Sequence, residues 1–183
     1  LLCPAGRVHH SAAVVGNQMF VHGGFDGVEH LNDLWALDLE AWRWSRVSTV
    51  GPMPPPSSEH AWTQIGNSLV RSGDTHPSQQ VQVHALDLDT LCWREVQGPP
   101  SPMQRSSHTA IALGPCLALI GGWEGKTVAT DVMTCNIETG EWSKATVDED
   151  RGDIIPRASR SCAESCGSFV AFGYAIPVFV PPE

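Results

Sequence analysis

Histidine and cysteine are the side chains of this chain best suited to binding a metal ion, and the sequence has eight histidines and six cysteines. Cys162 and Cys166 are separated by three intervening residues, but no second pair of cysteines or histidines lies at zinc spacing from them. His10, His60 and His108 recur in similar short segments rather than clustering. The pattern favours packing or hydrogen bonding by the histidines, and we predict no metal and no cofactor.

Composition narrows the class of partner and the compartment. The chain has 11 Lys and Arg residues and 20 Asp and Glu residues, so the formal net charge is -9 and a nucleic acid backbone would be repelled. The cysteines lack the density of a disulfide framework, and no apolar run is long enough to cross a bilayer. We expect reduced thiols, a cytoplasmic or nuclear location, and no membrane or nucleic acid partner.

The elements that position these residues repeat along the chain. Steps of 49 residues link five columns of the sequence, which indicates about three and a half copies of one supersecondary unit. A period near 50 residues is typical of propeller blades. The columns and their flanking glycines supply the predicted structural motif: Gly23, Gly24, Asp38, Trp44, Gly73, Asp87, Trp93, Gly121, Gly122 and Trp142.

Each complete unit predicts four antiparallel strands. In the first unit, two apolar runs joined by Gly16 and Asn17 predict a hairpin, residues 25–32 a loop, and two more strands surround the turn that begins at Asp38. The second unit is degenerate, because Ser57 and Ser72 stand where the others have arginine and the first glycine. We place blades at residues 7–50, 57–97, 105–147 and, in part, 157–176 of one segment spanning 1–183.

Each residue type that recurs from unit to unit has a structural reason to do so. Glycine pairs allow close backbone approach at the end of the second strand. The residues Asp38, Asp87 and Asn136 can accept hydrogen bonds from backbone groups two residues on, which predicts a role in the last turn. One tryptophan per unit, six residues later, can fill the widening gap between blades.

With its Arg-x-x-His start, its Gly-Gly pair and its Asp-x5-Trp turn, the unit resembles the kelch motif from Arg7 to Gly173. This resemblance implies an all-β kelch β-propeller, here an incomplete ring of about three and a half four-stranded blades, used mostly to bind other proteins. Because an open array leaves blade faces and strand edges without partners, we expect further blades from a longer chain, or self-association.

Strand direction predicts which surface binds a partner. The loop after each glycine pair and the connector before each first strand should share one face of the array. By resemblance, kelch domains that capture peptides use this face, often with arginines that hold acidic groups; the alternative is that the arginines brace the blades. The candidate contacts are Arg7, Phe25, Asp26, Glu29, His30, Asp74, His76, Arg105, Trp123, Glu124, Lys126 and Arg157.

We therefore expect a non-enzymatic module that binds a protein or peptide. A substrate receptor of a ubiquitin ligase is the second hypothesis, and a metalloenzyme on a kelch scaffold is the third. Against the third, Tyr174 is the only tyrosine available to a copper site resembling that of galactose oxidase. Glu29 and Asp33 match the spacing of an iron site similar to that of plant specifier proteins, but Leu37 replaces its histidine.

Overall fold

The computed structural model describes residues 2–73, 80–99, 101–102, 104–124, 127–145, 159–165 and 168–173, the last two segments as backbone only. All regular secondary structure in these residues is β-strand, and all strand pairing within its sheets is antiparallel. The predicted all-β class is confirmed.

The first sheet follows chain order, because each strand returns beside the one before it. It consists of β1 (Ser11–Val15), β2 (Gln18–Phe25), β3 (His30–Asp38) and β4 (Arg43–Val47). Gly16, at φ +56°, supplies the left-handed residue of the predicted tight turn between β1 and β2. Ala12 and Val14 are exposed, whereas the alternate residues Ser11, Ala13 and Val15 are half-buried, so β1 has one covered side.

Two more sheets repeat this order. The second consists of β5 (Ala61–Ile65), β6 (Ser68–Ser72), β7 (Val83–Asp87) and β8 (Trp93–Glu95). The third consists of β9 (Thr109–Leu113), β10 (Cys116–Ile120), β13 (Val132–Asn136) and β14 (Trp142–Lys144). A small hairpin of β11 (Trp123–Glu124) and β12 (Thr127–Val128) lies between β10 and β13 in the chain. Finally, β15 (Ser159–Ser165) pairs with β16 (Ser168–Gly173).

The sheets stack through their faces, with the first strands innermost. Strand β1 contacts β5, β5 contacts β9, and β9 contacts β15. Between the first and second sheets lies a core that includes Phe20, Leu34, Leu86 and Trp93. A second core joins the second and third sheets and contains Val70, Ala85, Leu117 and Leu119. Three four-stranded sheets and one two-stranded sheet therefore follow one another as blades in the described chain, which confirms the expected partial propeller. Within the described residues, no helix is long and apolar enough to span a membrane.

The loop predicted over residues 25–32 is shorter than expected. Gly24 pairs with Leu31 and Phe25 with His30, so the β2–β3 ladder continues to a four-residue turn. Asp26 Oδ1 accepts hydrogen bonds from the backbone N–H groups of Val28 and Glu29, each at 2.8 Å. This turn chemistry closes the hairpin and corrects the prediction of an irregular loop.

Strand register also corrects the alignment of the second glycine pair. Ser72 lies opposite Ala61 and Val83, in the place where His22 lies opposite Ser11 and Leu34. Gly73 is therefore equivalent to Gly23, not to Gly24, and the second position of the pair falls at residue 74, outside the described residues. The reason is spacing: His10 to His60 is 50 residues and His60 to His108 is 48, although the outer strands keep the step of 49.

Candidate functional site

Connectors and post-glycine hairpins share one face of the array. Val8 and Phe25 exchange two backbone hydrogen bonds of 2.9 Å, and Ser106 and Trp123 exchange two of 3.1 and 2.8 Å. These bridges join the residue after each motif arginine to the residue after each glycine pair. We call the surface formed by Val8, residues 25–30, Ser106 and residues 123–124 the connector–loop face.

The first hairpin of the connector–loop face presents its tip to solvent. Val28 is 88% exposed, and Asp26, Glu29 and His30 are also exposed. The ring of His30 lies 5.2 Å from the half-buried ring of Phe25, measured between centroids. Hydrogen bonds from the N–H groups of Glu29 and Val28 hold the pKa of Asp26 below its usual value. The turn is therefore ordered by its own polar groups while its apolar residue stays accessible.

Two further apolar side chains lie on the same face. Trp123, which follows the third glycine pair, is 44% exposed, and Val8 is 53% exposed. Glu124, the next candidate, is partly exposed and pairs with Arg105. Exposed aromatic side chains are enriched where proteins bind one another, so the position of Trp123 suits a contact.

The first motif arginine points into its own blade. Arg7 makes two hydrogen bonds to the carboxylate of Asp33, at 2.5 and 3.0 Å, and a third to the carbonyl oxygen of Gly23. Only 5% of the Arg7 side chain is exposed. Burial alone would raise the pKa of Asp33, but hydrogen bonds from Arg7 and from the Trp35 indole outweigh it and lower that pKa.

The equivalent arginine of the third blade is anchored in the same way. Arg105 donates to Asp131 at 2.5 Å and also to Glu124, and its side chain is fully buried. Lys144 lies 3.6 Å from the same aspartate. The burial of Arg7 and Arg105 argues against both as partner contacts and agrees with the bracing alternative, because their guanidinium groups are engaged by acids inside the blade.

The second blade lacks this arginine–aspartate pair and has a different polar contact in its place. Ser57 stands in the place of the arginine, and Gln82 stands where the other blades have Asp33 and Asp131. The guanidinium of Arg71, from strand β6, donates to the Ser57 hydroxyl instead, and Arg71 is fully buried. A strand thus supplies the buried guanidinium that the connector supplies in the neighbouring blades.

A polar cavity of about 500 Å³ opens where the three innermost strands begin. It is lined by His9, His10, Ser11, Ala12, Glu59, His60, Ala61, Trp62, Ser107, His108, Thr109 and Ala110. We call it the axial cavity. Its rim is a belt of three equivalent residues, His9, Glu59 and Ser107, each with a φ between +51° and +61°. The Glu59 N–H donates to the His9 carbonyl, and the Ser107 N–H donates to the Glu59 carbonyl.

Three buried histidines behind this rim, His22, His60 and His108, are held neutral by burial. His60 Nε2 lies 3.2 Å from His22 Nδ1, and His108 Nε2 lies 2.8 Å from the Ser72 hydroxyl. Burial and the nearby Arg71 lower the pKa of His22 to about 3 and that of His60 well below its usual value. Burial, then Arg105, lowers the pKa of His108 to about 3. Each contact crosses from one blade to the next, so these histidines join blades.

The described residues contain no group of three His, Cys, Asp or Glu side chains arranged to hold a metal. Within the same part of the chain, Cys3, Cys92, Cys116 and Cys135 are free thiols. Burial raises the pKa of the Cys135 thiol to about 11, so it stays protonated near neutral pH.

The predicted motif residues occupy structural positions. Trp93 is 1% exposed, packs between the first two blades and donates to Thr49 Oγ1 at 3.1 Å, whereas Trp142 and Trp44 are half-buried. Asp38, Asp87 and Asn136 accept backbone hydrogen bonds in the last turn of each blade. The glycines at 24 and 122 lie against the motif histidine of their own blade, and a Cβ on Gly24 would lie 2.8 Å from the Val8 carbonyl oxygen.

Several functional candidates could not be placed, and others were missed. Asp74, His76, Lys126 and Arg157 lie outside the described residues. Sequence reasoning missed the rim residue Glu59 and the partners Asp33, Asp131 and Arg71. The available signal was spacing: Asp33 and Asp131 are 98 residues apart, two steps of 49, and the middle unit lacks both this acid and its arginine.

Repeated four-stranded antiparallel sheets, stacked with their first strands around a shared cavity, define this chain as part of a β-propeller. The model of the KLHDC2/KLHL20/DRC7 Kelch-repeats domain matches residues 2–173, and the chain belongs to this kelch-repeat family. Domains of this family generally serve protein–protein interaction and are not enzymes.

Relatives with the same repeats include much longer proteins. The chain is 31% identical to acyl-CoA-binding domain-containing protein 5 of Arabidopsis thaliana over 93% of its own length and 27% of that protein. It is 25% identical to the leucine-zipper-like transcriptional regulator 1 homolog of Drosophila melanogaster, over 93% of the chain and 18% of the relative. It is 29% identical to human host cell factor 1, over 85% of the chain and 9% of the relative. The chain thus spans little more than a quarter of these relatives at most.

Proposed function

We propose that this chain binds a protein or peptide partner through its connector–loop face. The observation that carries the proposal is the pair of backbone bridges, Val8 to Phe25 and Ser106 to Trp123, which gather two blades' connectors and hairpins on one surface. Membership of the kelch-repeat family supports binding to protein rather than catalysis.

Exposed apolar groups on this face support the same proposal. Val8, Val28 and Trp123 remain accessible although the hairpins beneath them are fixed by hydrogen bonds. A partner that covers them gains apolar burial without first ordering the loops, which lowers the entropic cost of association. The face is held by the arginine–aspartate pairs beneath it, so the buried arginines contribute indirectly as positioning residues.

A pull-down with cross-linking and mass spectrometry tests the proposal. Trp123→Ala and Val28→Glu should each reduce recovery of specific partners, because they remove or charge the accessible apolar surface. Glu40→Ala is the control, since Glu40 is exposed in the turn at the opposite end of β3 and belongs to neither proposed contact surface. Partners lost equally from all three variants, or retained by all three, would refute the assignment of the face.

The same experiment addresses the other hypotheses. A substrate-receptor role in ubiquitin ligation predicts recovery of a cullin or its adaptor, and cytoskeletal or trafficking proteins alone would count against it. Elemental analysis of the purified chain addresses the metalloenzyme hypothesis, for which stoichiometric iron or copper is required. A cytoplasmic or nuclear location belongs to the proposal and is checked by imaging the tagged full-length protein.

We further propose that the outer side of the first blade associates with another blade. His10 and Trp44 are more exposed than their equivalents His60 and Trp93, which the preceding blade covers. Trp42 is exposed, whereas its equivalent Leu91 accepts a hydrogen bond from Val50 of the preceding connector. Light scattering should therefore detect association of this chain, and a stable monomer at high concentration would contradict the expectation.

A further inference from the structure

We propose that the axial cavity accepts a positively charged side chain, Lys or Arg, of the protein or peptide bound on the connector–loop face. This inference rests on the proposed function, because the cavity opens between the same connectors. It concerns the charge that the partner must carry. The arginines of the motif alone would suggest an acidic partner, whereas we infer a basic one.

The positive charges of the motif arginines point into the blades and away from the cavity. Arg7 and Arg105 are 5% and 0% exposed as side chains, and each is matched to an aspartate inside its own blade. A carboxylate arriving from solvent would have to displace Asp33 or Asp131 from a buried ion pair. The motif arginines of this chain are therefore poor sites for an acidic ligand.

The second step is the charge of the cavity wall. Among the lining residues whose side chains the structure describes, Glu59 is the only carboxylate, and none is a lysine or an arginine. Buried His60 and His108 contribute no positive charge near neutral pH. The Glu59 side chain is 37% exposed, so a ligand entering the cavity can reach it.

The third step is the geometry of Glu59 itself. Its Oε2 accepts a hydrogen bond of 2.7 Å from the Ser107 hydroxyl, while Oε1 lies 3.9 Å from His9 Nδ1, beyond hydrogen-bond distance. One oxygen is fixed by the neighbouring blade and the other stays available to a donor. The residue also holds a φ of +61°, a conformation that costs free energy for any residue with a Cβ. The carboxylate is thereby positioned at the rim before a ligand arrives.

Two buried charges oppose this preference. Arg71 lies near enough to His60, and Arg105 to His108, to lower the pKa of each histidine, and both would repel a cation in the cavity. Arg71 is fully buried and engages Ser57, and Arg105 is buried and paired with Asp131 and Glu124, whereas Glu59 stands on the rim where contact is direct. Because electrostatic attraction falls with distance and with intervening solvent, the contact with Glu59 decides the preference.

A random dodecapeptide library displayed on phage, selected on the purified chain, tests the inference. We expect enrichment of peptides with Lys or Arg at a fixed position. Glu59→Gln should weaken the binding of those peptides by about two- to fivefold in fluorescence polarisation, the loss typical of one solvent-exposed ion pair. Glutamine keeps the hydrogen bond from Ser107, so the fold is preserved. Glu40→Gln, an exposed position in the β3–β4 turn, is the matched control and should leave affinity unchanged.

The outcomes separate this inference from the proposed function. Enrichment of acidic peptides, or basic peptides indifferent to Glu59→Gln, would overturn the inference. If such peptides still lose affinity with Trp123→Ala, the connector–loop face binds but the cavity takes no cation. If no peptide is enriched over an unfolded control, both proposals fail for peptide ligands.

Discussion

The second blade and its two neighbours hold a guanidinium in comparable places by different routes. In the first and third blades the connector supplies the arginine and the start of the third strand supplies an aspartate, as in Arg7 with Asp33. In the second blade the connector supplies only Ser57, and Arg71 reaches it from strand β6. The comparison indicates that the fold requires a buried, hydrogen-bonded cation beside the connector and not a particular sequence position.

Exchange of the two arrangements gives the largest expected effect. Arg71→Leu copies Leu119, its register equivalent, and removes the guanidinium beside Ser57. Ser57→Arg with Gln82→Asp installs the arrangement of the neighbouring blades. In the Arg71→Leu background this pair of substitutions should restore stability, and in the native background it should destabilise by about 1–3 kcal/mol through overpacking and a second buried charge.

Urea unfolding of the four variants forms a double-mutant cycle. We expect a coupling free energy of about 2 kcal/mol or more between the strand arginine and the connector pair. If the two changes are additive within about 0.5 kcal/mol, the two arrangements are unrelated and the comparison is wrong.

The outer ends of the junctions show a second contrast. Trp93 is buried against Phe20 and Leu34 of the preceding blade, whereas the equivalent Trp44 is only half-buried. Trp93→Phe should cost roughly 1–3 kcal/mol, because a gap opens and the Thr49 hydroxyl loses its donor. Trp44→Phe is the matched control and should cost less than half as much. Equal losses in thermal unfolding would mean that the preceding blade does not determine the contribution of this tryptophan.

The sequence predicts the repeated frame because each of its signals is local. Glycine–asparagine turns, aspartates at the last turn and one tryptophan per unit each follow from short-range chemistry. The substitution of Ser57 for arginine shows that the second blade departs from the others. Its replacement by Arg71 is not predictable, since the two residues are 14 positions apart and meet only when β6 packs beside the connector.

Errors in the sequence interpretation have similarly specific causes. The connector that leads into the second blade is one residue longer than the next connector, and the segment between β6 and β7 is one residue shorter than its counterparts. The two differences cancel before the outer strands, so a fixed step of 49 wrongly aligned Gly73 with Gly24. Asp26 followed by Gly27 is a hairpin signal, and it explains why the strand ladder continues to Phe25 and His30 and leaves only residues 26–29 as a turn. Glu59 was missed since the rim belt is assembled from three blades and has no motif of its own.

The contribution to folding stability of the junction residue His22 should depend on pH in acid, whereas that of Ser72, its equivalent in the next junction, should not. The pKa of His22 is lowered to about 3 in the folded chain, against 6.5 when unfolded. The unfolded state therefore takes up the proton first, so the stability from the neutral ring is complete above pH 6.5 and declines as pH falls towards 3. Each such histidine contributes a slope of about 1.4 kcal/mol per pH unit in this window.

His22→Ser copies the arrangement in which Ser72 contacts His108. This variant should be less stable at pH 8, because a buried ring is lost beside Trp62 and Trp93. Its stability should fall less steeply between pH 6.5 and pH 5, by about 1.4 kcal/mol per unit. His30→Ser, at an exposed position, is the control for a histidine lost elsewhere. An unchanged slope in His22→Ser would show that His22 does not remain neutral in the fold.

The smallest effect on stability is expected in the last turn, where all three blades use the same kind of side-chain acceptor. Asp38 Oδ1 accepts hydrogen bonds of 2.8 Å from the N–H groups of Glu40 and Ala41, and Asn136 accepts equivalent bonds in the third blade. Asp38→Asn should therefore melt close to the unmodified chain at neutral pH, whereas Asp38→Ala should melt slightly lower; Glu40→Ala serves as the control.

Asp38→Asn and the unmodified chain should also differ in how they respond to acid. Hydrogen bonds from the N–H groups of Ala41 and Glu40 hold the pKa of Asp38 below its usual value of 3.8. The stabilisation from this carboxylate is thus present above pH 3.8 and is lost as pH falls through the lowered pKa. An amide oxygen does not titrate, so Asp38→Asn should keep its turn hydrogen bonds where Asp38 is protonated. If Asp38→Asn does not melt above the unmodified chain once Asp38 is protonated, the turn is held by its backbone conformation and the shared acceptor is incidental.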